Sequence, residues 1–122
     1  MIFTGTNVYS GDNSGARRVQ VIKVISRSKY RWGFFGDIAL VTVKKARPNK
    51  RVKKSEKWRF VLINMKKNTI RLGHILRFNL NAGVILKKDD IVPLASRVTL
   101  NVPFELRPKG FRRILTMASI NI

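Results

Sequence analysis

The chain has 122 residues, 44% of them hydrophobic, which is enough for one domain with a modest core. Its 26 lysines and arginines face 6 aspartates and glutamates, a formal charge of +20; a compact protein tolerates that best when a polyanion such as nucleic acid neutralises it. With no cysteine and His74 as the one histidine, disulfides and thiolate metal sites are excluded, and neither an apolar run long enough to cross a membrane nor a lipidation signal competes with the nucleic-acid reading.

The acids are Asp12, Asp37, Glu56, Asp89, Asp90 and Glu105. Only Asp89 and Asp90 are adjacent, and strand neighbours point to opposite faces, so the pair reads as a turn rather than an acid–base dyad. A catalytic triad would have to rest on His74 alone. No enzyme activity, cofactor or metal site is therefore expected.

In chain order, residues 1–10 carry neither a signal-peptide core nor a transit-peptide pattern, and the mature protein is expected to begin here. Asp12-Asn13-Ser14-Gly15 is a tight turn, because these side chains bond the backbone and glycine permits positive φ. Arg17 and Arg18 follow where turn becomes strand. They either reach RNA or brace the turn through Asp12. From Val19 to Ile25 the β-branched run does not alternate, since Val21 and Ile22 are neighbours and Lys23 falls at an inward position, which requires covered faces or a bulge. Ser26 to Gly36 interleaves Arg27, Lys29 and Arg31 with Tyr30, Trp32, Phe34 and Phe35. Such a loop stacks rings on bases while its cations meet phosphates, or caps the end of a small barrel. Phe34 and Phe35, next to a strand, read as caps; Tyr30 and Trp32 fit either role.

Gly36 and Asp37 turn into Ile38–Val43, apolar on both faces and hence central. That strand runs into Lys44, Lys45, Arg47, Lys50, Arg51, Lys53, Lys54 and Lys57. Charge runs are commonly solvated faces or tails, but this one lies between strands, so residues 44–57 are expected as a hairpin arm that projects and orders on RNA. Trp58–Met65 is the returning strand. Lys66 and Lys67 open a polar stretch that turns at Gly73 and makes a second basic patch. Ile75–Leu86 reads as two short strands around a bend, with His74 at a strand edge, and Lys87–Asp90 as a turn.

Ser96–Val102 alternates, with Val98, Leu100 and Val102 inward and Arg97, Thr99 and Asn101 outward. Beyond Pro103, Phe104–Arg107 fits one helical turn; Phe111, Ile114, Leu115 and Ala118 then share a helical face opposite Arg112 and Arg113. The expected fold is all-β: a small barrel over about 1–102, with a C-terminal helical segment over 103–122.

Several blocks recur together: Asp12-Asn13-Ser14-Gly15-Ala16-Arg17-Arg18 with Ile22-Lys23-Val24; Gly36-Asp37-Ile38 with Val41, Val43, Lys44 and Ala46; Val52-Lys53-Lys54; Arg77-Phe78 with Asn81-Ala82 and Val84; and Glu105-Leu106-Arg107. In this order, over most of the chain, they resemble the large-subunit ribosomal protein fourteen family. The resemblance implies a five-stranded β-barrel with a projecting β-ribbon and small C-terminal helices, a structural constituent of the large subunit bound to its ribosomal RNA. It also implies a bridge to small-subunit RNA and neighbouring large-subunit proteins. Candidate rRNA-binding residues are Arg17, Arg18, Lys23, Lys44, Lys45, Arg47, Lys50, Arg51, Lys53, Lys54, Lys66 and Lys67.

In bacteria and organelles, family members are docked by a ribosome-silencing factor. The matching positions here are Ser96, Arg97 and Thr116, although Ala95-Ser96-Arg97 stands where the family usually has Gly-Thr-Arg. Ser55 replaces a common glycine, and Asn79 a usual aspartate. Plentiful Ile, Phe, Asn and Lys suit an AT-rich genome and, with no presequence, point to an organelle-encoded protein of the mitochondrial matrix; a plastid or a bacterial cytoplasm is the alternative. A free nucleic-acid chaperone or DNA-compacting protein would share the charge and is the rival function.

Overall fold

Valine and isoleucine at alternate positions give this chain strands with one apolar face, and the sheet hides that face by closing on itself. A computed structural model describes residues 2–25, 32–71 and 73–122. Arg27, Lys29, Tyr30 and Arg31, assigned above to a loop, lie outside the described residues. In order, the elements are β1 (Ile2–Phe3), β2 (Asn7–Ser10), β3 (Ala16–Val24), β4 (Trp32–Gly33), β5 (Ile38–Ala46), β6 (Lys57–Asn64), β7 (Thr69–Arg71), β8 (His74–Leu76), β9 (Ala82–Leu86) and β10 (Val98–Val102). A 3-10 turn (Phe104–Leu106), α1 (Arg112–Met117) and β11 (Ala118–Asn121) complete the chain.

The barrel runs β2-β3-β5-β6-β9 and closes where β9 pairs parallel with β2. The expected all-β, five-stranded barrel is thus the observed architecture. Its interior is filled by Val8, Val19, Val21, Val24, Val41, Val43, Phe60, Leu62 and Ile85. The broken alternation of β3 is resolved by a bulge: Val21 pairs with Val41 but Lys23 with Leu40, so Ile22 is the extra residue and Val24 returns inward. Ile22 and Lys23 are both exposed there. Phe35 packs inside, edge-on to Phe78 with centroids 6.1 Å apart, and Phe34 is half-buried against the same core, as caps should be. Trp32 pairs with Phe3 across β1 and β4, and their rings lie 6.3 Å apart.

A second apolar cluster covers the outside of β6 and β9. Val61, Ile63, Val84 and Leu86 point outward and meet Val98, Val102, Leu106, Phe111, Ile114 and Leu115. Both strands are therefore buried on both faces, the condition for an unbroken apolar run. The strand Val98–Val102 has the expected in–out pattern but is not a barrel strand. It pairs in parallel with β11, at the tail of the chain. The expected helix correspondingly stops at Met117: Ala118 is extended (φ −75°, ψ 140°), and the Ile122 amide bonds the Val102 carbonyl at 2.8 Å. Free edge groups on β10 outbid the helical pattern of the last residues.

The basic segment 44–57 also differs from expectation. Its charge predicts an arm standing off the body, yet Val52 is fully buried in the barrel core. The Arg47 amide bonds the Gly15 carbonyl (2.7 Å), and the Ser55 amide bonds the Val43 carbonyl (2.8 Å). Val52, with Ala46 packed against the same core, draws the segment across the barrel end, while Lys50, Arg51, Lys53 and Lys54 around it stay exposed. The ribbon that does project is β7–β8, where Ile70 and Ile75 pair across the strands at 87% and 70% exposure.

Val52→Ala should therefore lower unfolding free energy in urea by about 2 kcal/mol, the loss of buried methyls plus a cavity. A solvated arm would lose under about 0.5 kcal/mol.

Candidate nucleic-acid interface

The turn at residues 11–15 positions the cationic surface. Asp12 is almost fully buried. Its Oδ1 accepts from Ser10 Oγ (2.9 Å), Ser14 Oγ (2.6 Å) and the Ser14 amide (3.2 Å), while Oδ2 accepts from the Ile85 amide (3.1 Å). One carboxylate thus ties the turn to β9. Asn13 extends the network: its Oδ1 accepts from the amides of Ser96 (3.0 Å) and Arg97 (3.1 Å), and its Nδ2 donates to Ser96 Oγ (2.9 Å). The Gly11 carbonyl accepts from the Thr99 amide (2.8 Å) and hydroxyl (2.9 Å), and the Ser14 and Gly15 carbonyls hold the Val52 and Arg47 amides. Gly15 has φ +114°, and a Cβ on it would overlap Lys50 Cβ, so a glycine is required on two counts.

This scaffold leaves two basic clefts, one lined by residues 45 and 47 of the basic segment and the other by residues 49–51. The first, about 410 Å³, is lined by Tyr9, Ser10, Arg17, Arg18, Lys45 and Arg47. In the second, about 540 Å³, Lys50, Arg51, Lys87 and Arg113 share the lining with Asn13 and Ser96. Arg51 Nη1 donates to the Leu94 carbonyl at 3.3 Å, holding the segment against the 92–96 loop. Neither cleft is lined by a carboxylate among the described residues. The arginines do not brace Asp12, whose oxygens are taken by Ser10, Ser14 and Ile85. Arg17 is exposed, and Arg18 is half-buried with its Nε shielded from water and unpaired.

Of the residues expected to bind RNA, Arg17, Arg18, Lys45 and Arg47 thus converge on one cleft, and Lys50 and Arg51 line the other. Lys44, Lys53 and Lys54 are exposed. Lys23, Lys66 and Lys67 do not join them. Asn81 joins Lys66 to Tyr9, its Oδ1 accepting from the Lys66 amide (2.9 Å) and its carbonyl from the Tyr9 amide (3.0 Å), whereas antiparallel pairing puts the end of β3, with Lys23, beside the start of β5, at the opposite end of that strand from Lys45. Lys67 Nζ sits 5.4 Å from the centre of the Phe34 ring. Ser96 and Arg97 are exposed beside Asn13, and the pairing of Val98 with Ala118 brings them to the same end of the molecule as Thr116, whose hydroxyl donates to the Arg113 carbonyl at 2.8 Å.

Sequence reasoning missed Tyr9, Asn49, Lys87 and Arg113 as lining residues. Tyr9 had a signal, as the outward neighbour of inward Val8 on a strand leading into the turn. Lys87 and Arg113 had none, because only the packing of α1 and the 92–96 loop brings them to the barrel rim.

The model of one family, ribosomal protein L14p/L23e, matches residues 1–122 of the chain.

Asp12→Ala is expected to cost about 3 kcal/mol or more in urea denaturation, since the buried Ser14 and Ile85 amides would lose their acceptor. If Arg17 and Arg18 were the braces instead, Arg17→Gln with Arg18→Gln would match that loss; less than about 1 kcal/mol is expected.

Proposed function

This chain belongs to the ribosomal protein L14p/L23e family and is a structural constituent of the large ribosomal subunit, and from that premise we propose that it binds large-subunit rRNA through its two basic clefts. The observation that carries this is the convergence of Arg17, Arg18, Lys45 and Arg47 on one cleft and Lys50, Arg51, Lys87 and Arg113 on the other. Arginine meets two phosphate oxygens with a planar fork, whereas lysine supplies a mobile point charge. Mounted on hydrogen-bonded strands and a turn, these groups hold RNA segments in one relative orientation. The mechanism is positional, and specificity comes from RNA shape, because phosphate contacts carry little sequence information.

Lys23, Lys66 and Lys67, outside both clefts, meet a second RNA segment in this reading. A barrel touching two RNA segments is suited to a bridge to small-subunit RNA, with neighbouring large-subunit proteins around it. Ser96, Arg97 and Thr116, exposed at one end, form the surface for a ribosome-silencing factor. We place the protein in a mitochondrial ribosome on its composition; a plastid or a bacterial cytoplasm is the alternative.

Sedimentation of the native protein tests the assignment. Co-migration with the large subunit after a high-salt wash is expected, and release at low salt would favour the free chaperone or DNA-compacting protein. In solution, log affinity for rRNA fragments should fall with log salt by about 0.7 to 0.9 per phosphate neutralised, and Arg17→Gln or Arg47→Gln should each reduce the slope by about 1. A slope near zero would overturn the electrostatic model.

A further inference from the structure

Tyr9 is an exposed ring in a setting that gives it no structural work. Val8 fills the barrel and turns Tyr9 outward, where the side chain is 49% exposed. The register places Tyr9 opposite Arg18 and Arg18 opposite Lys45. A ring, a guanidinium and an ammonium therefore stand in one row across three strands, spanning about 10 Å at the ordinary strand spacing. Arg17 and Arg47 flank the row, and the pairing of β3 with β5 shifts register on both sides of Arg18. This irregularity sets Arg17 and Arg18 side by side on the cleft, where strict alternation would send one of them inward.

The second observation is Arg18 Nε, which is shielded from water yet has no hydrogen-bond partner. A charged donor in that state is costly, and one in a native structure calls for an acceptor that the protein chain itself does not supply.

We infer that this cleft takes one unstacked RNA nucleotide, its base lying on the Tyr9 ring and its phosphate held by Arg17, Arg18, Lys45 and Arg47. This rests on the RNA reading above and names the kind of RNA element that the cleft selects. A carboxylate-bearing peptide would satisfy the cations but leave the ring idle; a base has a π face for it. In a paired RNA helix the bases are stacked on one another, so a duplex offers phosphates alone. A bulged, looped or single-stranded nucleotide offers both. The cations give affinity shared by every RNA; the ring makes the site prefer unpaired RNA.

The test uses the full chain, a single-stranded oligouridylate and a blunt RNA duplex with the same number of phosphates, at one salt concentration. Tyr9→Leu is expected to weaken binding to the single strand about tenfold, as for loss of one stacked base, and to leave duplex binding unchanged. Tyr9→Phe should keep the wild-type preference, and unchanged urea midpoints should show that both variants fold. Equal weakening on both RNAs, or none on either, would overturn the inference and reduce Tyr9 to packing along the Arg18 stem. If the wild-type chain bound neither RNA, the RNA reading itself would fall, a result distinct from loss of the preference alone.

Discussion

The buried carboxylate of Asp12 is the constraint on which the rest of the molecule depends. A carboxylate is buried at tolerable cost only where several donors converge on it, and here those donors come from both sides of the turn and from β9. Once the turn is held, its neighbours order the surroundings: Asn13 fixes the 96–97 loop, Gly11 receives β10, and Ser14 and Gly15 seat the basic segment. Barrel closure, the outer layer and the basic segment thus meet at five residues. Asp37 plays a smaller version of the same part, accepting from the Phe34 amide at 2.7 Å while Lys109, 3.9 Å away, donates to the Phe35 carbonyl and ties the C-terminal segment to the barrel.

The charge distribution follows from this arrangement. With the interior taken by valine and both faces of β6 and β9 covered, cations have only the rims and the outer face to occupy. Their mutual repulsion opposes folding, and a polyanion bound to the folded form would offset it by mass action. Burial of Val52 amid the cations matters for the same reason. It keeps the segment ordered before any partner arrives, so less ordering entropy remains to be lost on binding.

The strands β5, β6, β9 and β10 were legible because alternation or unbroken apolar runs announce them, and the Asp12–Gly15 turn because its residue types have few other uses; β2, four residues with a single inward valine, was not. The bulge in β3 was legible as a conflict in the pattern, although its position, at Ile22, was not. Illegible were β7, three polar and β-branched residues hidden in a basic stretch, and β11, whose residues continue a helical pattern. Both exist because a partner strand offers free hydrogen-bonding groups. The direction of the 44–57 segment was misjudged for a related reason. Eight cations set the charge of the segment, but the burial of Val52, with Ala46 against the same core, set its course.

By itself, the sequence determined the all-β class, the family, the strongly cationic character and the position of each cation in the chain, since these depend on composition, local pattern and turn chemistry. Only the tertiary structure decided which cations stand together. Arg17, Arg18, Lys45 and Arg47 line one cleft with Tyr9, while Lys23 stands at the opposite end of β5 from Lys45, and Lys66 and Lys67 line neither cleft. Strand direction and register make that division: they set distances between residues remote in the chain, and no local sequence signal encodes them.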